Sequence, residues 1–227
     1  MHISERNPKE TARDYALRTL RDNIVRLELE PGSMVSENVL ASEMGLSRTP
    51  VRDAVHLLYQ EGYLDILPNK GFTLHKMTEQ DVMETYEVRC AIEGYCCRKL
   101  AGQKQTGAGK KLAAKLEASC RRQEEIFSAS RDPETFSQED QHFHWLLVEA
   151  SENDAFQEFF RQYMYKLQRL AALSLQKPRR MEETLAEHRR ILQAIREGDP
   201  AEAYQAALDH IQAPLNINLE NVYAGLP

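Results

Sequence analysis

A chain of 227 residues with 42% hydrophobic and 28% charged residues has an ordinary globular composition, with length for one or two domains and a buried core. The net charge of −6 argues against a surface that coats polyanions indiscriminately, although a local positive patch can still meet DNA. No apolar run approaches the roughly 18 residues of a membrane span, and the start, MHISERNPKE, lacks a signal peptide's apolar segment. A cytoplasmic protein with no membrane partner is therefore expected. The four cysteines, Cys90, Cys96, Cys97 and Cys120, do not form a disulfide framework in a chain of this size, and adjacent Cys96 and Cys97 read as small core residues.

In chain order, the pattern predicts a helix from Thr11 to Leu27, with Ala16, Leu17, Leu20, Ile24 and Leu27 on one stripe, ending near Glu30-Pro31-Gly32. Ser36 to Met44 reads as a short helix with Val39, Leu40 and Met44 apolar, and Gly45 suits a tight turn. Ser47 is then a candidate N-cap for a helix whose apolar face is Val51, Ala54, Val55 and Leu58. Arg48, Thr49, Arg52 and His56 fall on the other face, and Arg48 and Arg52, four apart, are neighbours on it. This is the pattern of a helix-turn-helix. Tyr63–Leu67 and Phe72–His75 follow as short strands joined by Pro68-Asn69-Lys70-Gly71, which makes the motif winged. The hairpin closes the small core, and it can also set Lys70 and the Gly71 backbone against phosphate or a minor groove. Residues 1–76 hold ten Lys+Arg against eleven Asp+Glu, so binding must rest on a few placed arginines.

From Met77 onward strand signals vanish. Helices are expected at about 78–100, 110–129, 133–151, 154–175, 179–197 and from Asp199, where Asp199, Pro200 and Glu202 make a strong start signal. The fold class is therefore mainly α: a winged helix-turn-helix over residues 1–76, then a six-helix antiparallel bundle over 77–227. Asp140 and His144 share a helix face, while His188 and His210 lie on later helices. One carboxylate and three imidazoles suit a divalent metal ion, zinc first, with nickel, manganese or iron(II) as alternatives. Spacing alone leaves a second reading open, that of ordinary core or surface histidines. His142, out of phase with Asp140 and His144, reads as a surface residue, and His2, His56 and His75 lie outside the bundle. Pro214 removes the backbone bond to the His210 carbonyl, which predicts a kink or helix end. Arg89, among Tyr86, Val88, Cys90 and Ile92, needs a carboxylate partner, which is either Glu93 one turn on or a ligand.

Two stretches carry a family resemblance. PGSMVSENVLASEMGLSRTPVRDAVHLLYQEGYLDILPNKGF resembles the winged helix of the GntR family of bacterial transcription regulators. DQHFHWLLVEASEND, LAEHRRILQAIREGDPAEA and DHI, in that order, resemble the FadR C-terminal (FCD) ligand-sensing domain, and six helices look more like its VanR branch. The resemblance implies a homodimeric regulator, a repressor before an activator, that binds double-stranded operator DNA. It places Arg48, Thr49 and Arg52 at DNA-contact positions, supported by Ser47 and the wing Gly71; Lys70 joins them on the hairpin reading above. Asn38 departs from the pattern, because some relatives carry a DNA-contacting arginine there. Asp140, His144, His188 and His210 match the family's metal-ligand positions, and Arg89 matches the arginine that holds an effector carboxylate. A small organic or sugar acid touching metal and Arg89 is then the implied effector. Two alternatives are a regulator that senses the metal itself and a metal-dependent hydrolase or lyase. The latter needs a general base, and Glu187, beside His188, is expected to point to another face.

Overall fold

The computed structural model describes residues 2–225 apart from 26–27, 30–31 and 69, and apart from the side chains of 25 and 165. The chain divides into a first unit ending at Thr78 and a second spanning Glu79–Ala224. Leu27, Glu30, Pro31 and Asn69, named above, lie outside the described residues.

The first unit contains α1 (Ala12–Val25), α2 (Glu37–Glu43), α3 (Arg48–Gln60), β1 (Leu64–Leu67) and β2 (Gly71–Leu74). Ala16, Leu20 and Ile24 of α1 are buried with Val51, Ala54, Val55 and Leu58 of α3, as the helical periodicity requires. Leu40 and Met44 are buried as expected, but Val39 is 56% exposed, because it falls on the outer side of α2. Gly45 turns between α2 and α3 with φ 63°. Ser47 does occupy the N-cap position of α3 in extended conformation, but its side chain makes no capping bond. The expected capping interaction is thus absent, and Ser47 is exposed. β1 and β2 pair antiparallel from Leu64↔Leu74 to Leu67↔Gly71, and Val35 bridges to Phe72 on the far side of β2. Gly71 is required there for a packing reason. A Cβ would lie 2.1 Å from the Val35 carbonyl oxygen, and its φ is 131°.

The second unit consists of helices α4 (Glu79–Ala101), α5 (Gly107–Ala129), α6 (Pro133–Ala150), α7 (Asp154–Leu175), α8 (Arg180–Glu197), α9 (Pro200–Gln212) and α10 (Leu215–Tyr223). The starts are set by local chemistry. Thr106, Asp132, Asn153 and Asp199 each accept from a backbone N–H of the first turn of α5, α6, α7 and α9 respectively. Gly198 ends α8 in the left-handed region. The sixth helix of the sequence reading is broken at Pro214, so that α9 and α10 are separate and seven helical segments occur among the described residues. Cys96, Cys97, Leu116, Cys120, Phe143, Leu147, Ile191 and Ala203 make one continuous core, with the cysteines serving as small apolar fillers. α4 and α9 approach closely at Gly94, where a Cβ would meet Leu208 and Tyr204. That closeness brings the inward faces of α4, α6, α8 and α9 to one point in the bundle.

Candidate functional site

At that point Asp140 and His144 (α6), His188 (α8) and His210 (α9) converge. All four are buried, and one potential ligand atom from each lies within 4.8 Å of the others. His210 Nε2 is 3.1 Å from His144 Nε2, and His188 Nε2 is 3.5 Å from Asp140 Oδ1. His142, one residue from Gln141 on α6, is exposed, as the helical phase predicts.

Each imidazole is oriented by a partner on its other nitrogen. His144 Nδ1–H donates to Glu93 Oε2 on α4, His210 Nδ1–H to Glu187 Oε2 on α8 at 2.7 Å, and His188 Nδ1–H to Gln123 Oε1 on α5 at 2.8 Å. A carboxylate can only accept, so it fixes the proton on Nδ1 and turns the bare Nε2 inward. Phe143 stacks on His188 with ring centroids 4.0 Å apart and locks that ring further. Three inward ring nitrogens and a carboxylate form the donor set. His188 Nε2 is buried with no hydrogen-bond partner, and this orphan acceptor is the feature a metal ion would satisfy. The donor set and its outer partners therefore fit a divalent cation bound by N and O ligands.

Burial, followed by the charge of neighbouring imidazoles, holds His188 and His210 well below the usual histidine range, which keeps both neutral. Their folded-state pKa values are depressed, so the unfolded chain takes up protons below about pH 6.5 while the folded one does not. Acidification must then destabilise the protein in chelator. From pH 7 to 5.5 the expected loss is at most about 2–3 kcal/mol for the two groups together, reached if both stay unprotonated throughout. It reads out as a falling thermal midpoint, and a midpoint flat across that range would contradict the neutral assignment.

Arg89 and Glu93 form the ion pair that the sequence offered as one alternative, Nε to Oε1 at 2.7 Å. Glu93 is fully buried. Desolvation pushes its carboxyl up, but the Arg89 charge and the His144 contact outweigh this and hold it low. Arg89 Nη2 also reaches to 3.1 Å from His144 Nε2, so the guanidinium abuts the donor set. Glu187 corrects an expectation. It does not point away from the site, because its length carries it across from α8 to His210, and Arg180 holds its two oxygens at 2.7 and 2.6 Å. Arg180 is 4% exposed and was missed from the sequence. The signal was there: Arg180, Thr184 and His188, at four-residue spacing, share one helical face. Gln123 and Glu93 offered no comparable signal as histidine partners.

A narrow cleft opens beside this cluster, and Arg89, Asp140, Arg180 and His210 are among its lining residues. In the first unit, Arg48, Thr49, Arg52 and Lys70 are all exposed. Arg48 touches Glu37 at 3.4 Å with 63% of its side chain exposed.

A winged helix-turn-helix joined to an all-helical unit with a buried, cleft-side donor cluster defines a class of DNA-binding transcription regulators. The model of bacterial regulatory proteins of the gntR family matches residues 14–74, and that of the FCD domain matches residues 84–213. The chain belongs to the GntR family and carries an FCD domain. It is 29% identical over 99% of its length, and 92% of the other chain, to an uncharacterized HTH-type transcriptional regulator of Streptomyces ambofaciens. It is 28% identical over 85% of its length, and 82% of the other, to a probable D-xylose utilization operon transcriptional repressor of Paenarthrobacter nicotinovorans. Its fold is similar to that of E. coli McbR/YncC, with a TM-score of 0.76 at 18% identity over 93% of this chain and 99% of that one. No helix among the described residues is long and apolar enough to cross a membrane.

Proposed function

We propose that this protein is a homodimeric repressor whose bundle binds a divalent metal ion and, on it, a small organic or sugar acid that changes operator affinity. The observation that carries this reading is Arg89 Nη2 standing 3.1 Å from a nitrogen of the donor set, so that one carboxylate can meet metal and guanidinium together. Asp140, His144, His188 and His210 would hold the metal, which supplies a Lewis-acidic anchor for the acid's oxygen. Charge supports the same reading. Asp140, Glu93 and Glu187 face Arg89 and Arg180, and these five leave one uncompensated negative charge; a dication reverses it to one positive charge. The loaded site then suits a monoanion, and the acid should bind only after the metal. The Paenarthrobacter relative, named for a sugar utilization operon and as a repressor, agrees with a sugar-derived acid and with repression. Effector binding would bias the dimer between arrangements that do and do not span two half-sites.

The test is fluorescence anisotropy on the protein's own upstream DNA, with and without Zn²⁺ and a panel of small acids. Arg89→Ala should abolish the acid response while operator binding without acid persists. Because that change strips buried Glu93 of its counter-charge, Arg89→Lys is the companion, keeping the ion pair but losing the fork. Arg89→Lys should weaken the acid response by roughly ten- to a hundredfold. An unaltered response in both variants would end the clamp role.

A further inference from the structure

The cleft has a second polar wall that neither the metal nor the carboxylate clamp uses. Tyr86 on α4 and Asn218 on α10 both line it, at 4% and 1% exposure. Asn218 Nδ2 donates to the Tyr86 hydroxyl oxygen at 2.8 Å, and Asn218 Oδ1 is buried with no partner. An unmet acceptor at that depth carries a free-energy penalty, and it lies on a wall of the cleft that receives the ligand. The amide can be turned either way without changing the outcome. With Asn218 donating to Tyr86, the pair has left over the tyrosine O–H as donor and the amide oxygen as acceptor. With the amide reversed, it has left over an amide N–H as donor and the tyrosine oxygen as acceptor. In both orientations at least one donor and one acceptor remain side by side, and a hydroxyl group, which both donates and accepts, can meet one of each. A methylene group in the same place would leave both unmet.

We propose that Tyr86 and Asn218 recognise an alcohol hydroxyl of the effector, so that the site selects hydroxy acids over alkanoates of equal carbon number. This rests on the reading of the cleft as an acid site on a bound metal. Two features favour it: the residues line the same cleft as Arg89, Asp140 and His210, and Asn218 Oδ1 has no other partner. Asn218 owes its position to the break at Pro214, which starts the short helix α10.

The experiment is calorimetric titration of Zn²⁺-loaded protein with xylonate and gluconate against pentanoate and hexanoate. The wild type is expected to bind the hydroxy acids at least about tenfold tighter than the matched alkanoates. In Asn218→Leu and Tyr86→Phe that ratio should fall about tenfold or more, towards one. Zn²⁺ affinity and the alkanoate Kd should stay as they are. Tyr86→Phe removes a single oxygen and serves as the reading if Asn218→Leu does not fold. An unchanged ratio in the folded variants overturns the proposal, as would happen if a bound water met the pair instead. So does a wild type that holds both series equally. If no acid of either series binds, the acid-sensor reading itself falls, and Zn²⁺ titration of the same sample shows whether the metal site survives it.

Discussion

Replacing His188 with alanine is expected to lower affinity for Zn²⁺ or Ni²⁺ by more than the roughly 10–100-fold that loss of an outer partner costs in metal sites. His188 is fully buried, its Nε2 has no other partner, and its ring is held by Gln123 and by stacking on Phe143. Removing it takes away one of four donors and leaves a gap against Phe143. Glu187→Gln should fall within the 10–100-fold range, because the glutamine oxygen can still accept from His210 but brings no charge. His142→Ala is the control, since His142 is exposed on the same helix that carries Asp140 and His144. Competition against a chelator measures all three. The wild type should also gain about 2.7 kcal/mol of stability at metal concentrations a hundredfold above Kd, and the His188→Ala protein should gain far less. Equal affinities in wild type and His188→Ala would remove the metal centre from the proposal.

Much of this site was legible because it is written in helical phase. Asp140 and His144 point the same way since they are four apart, and His142 points elsewhere by the same rule. Asp199-Pro200 and Pro214 marked the two ends of α9 through capping and a missing N–H. What escaped depends on how helices dock. Gln123 meets His188 across 65 residues and Glu93 meets His144 across 51, and no local spacing encodes such pairs. Glu187 shows the limit of the helical wheel. The wheel gives the direction of its Cβ, yet its flexible chain reaches His210 on the neighbouring helix. Ser47 has the right position and backbone for a cap, but its side chain makes no capping bond.

The outer partners also explain why the site tolerates so much buried charge. Each arginine that faces the cleft is already matched to a glutamate, Arg89 to Glu93 and Arg180 to Glu187, and each of those glutamates also orients a ligand histidine. If Arg89 clamps an acid as proposed, a perturbation there would reach the proposed metal ligands through one carboxylate, and acid and metal affinities would be coupled reciprocally.

At the other end of the chain, the double variant Arg48→Ala/Arg52→Ala is expected to lose sequence-specific operator binding. Both side chains project from the first turns of α3, the helix that would enter the major groove, and both are exposed. A guanidinium paired with guanine contributes about 1–3 kcal/mol of discrimination, so each single change should cost roughly 5–150-fold against the correct operator. Binding to scrambled DNA should change much less. Lys70→Ala should behave differently, because a lysine on the wing would meet phosphate rather than a base edge. It should weaken all sequences alike and make the slope of log K against log salt shallower by about 1. Thermal midpoints should stay close to wild type in every case, since no substituted side chain is buried. If Arg48→Ala/Arg52→Ala binds operator and scrambled DNA with the wild-type ratio, α3 is not the reading helix, and the specificity must lie in another element of the first unit.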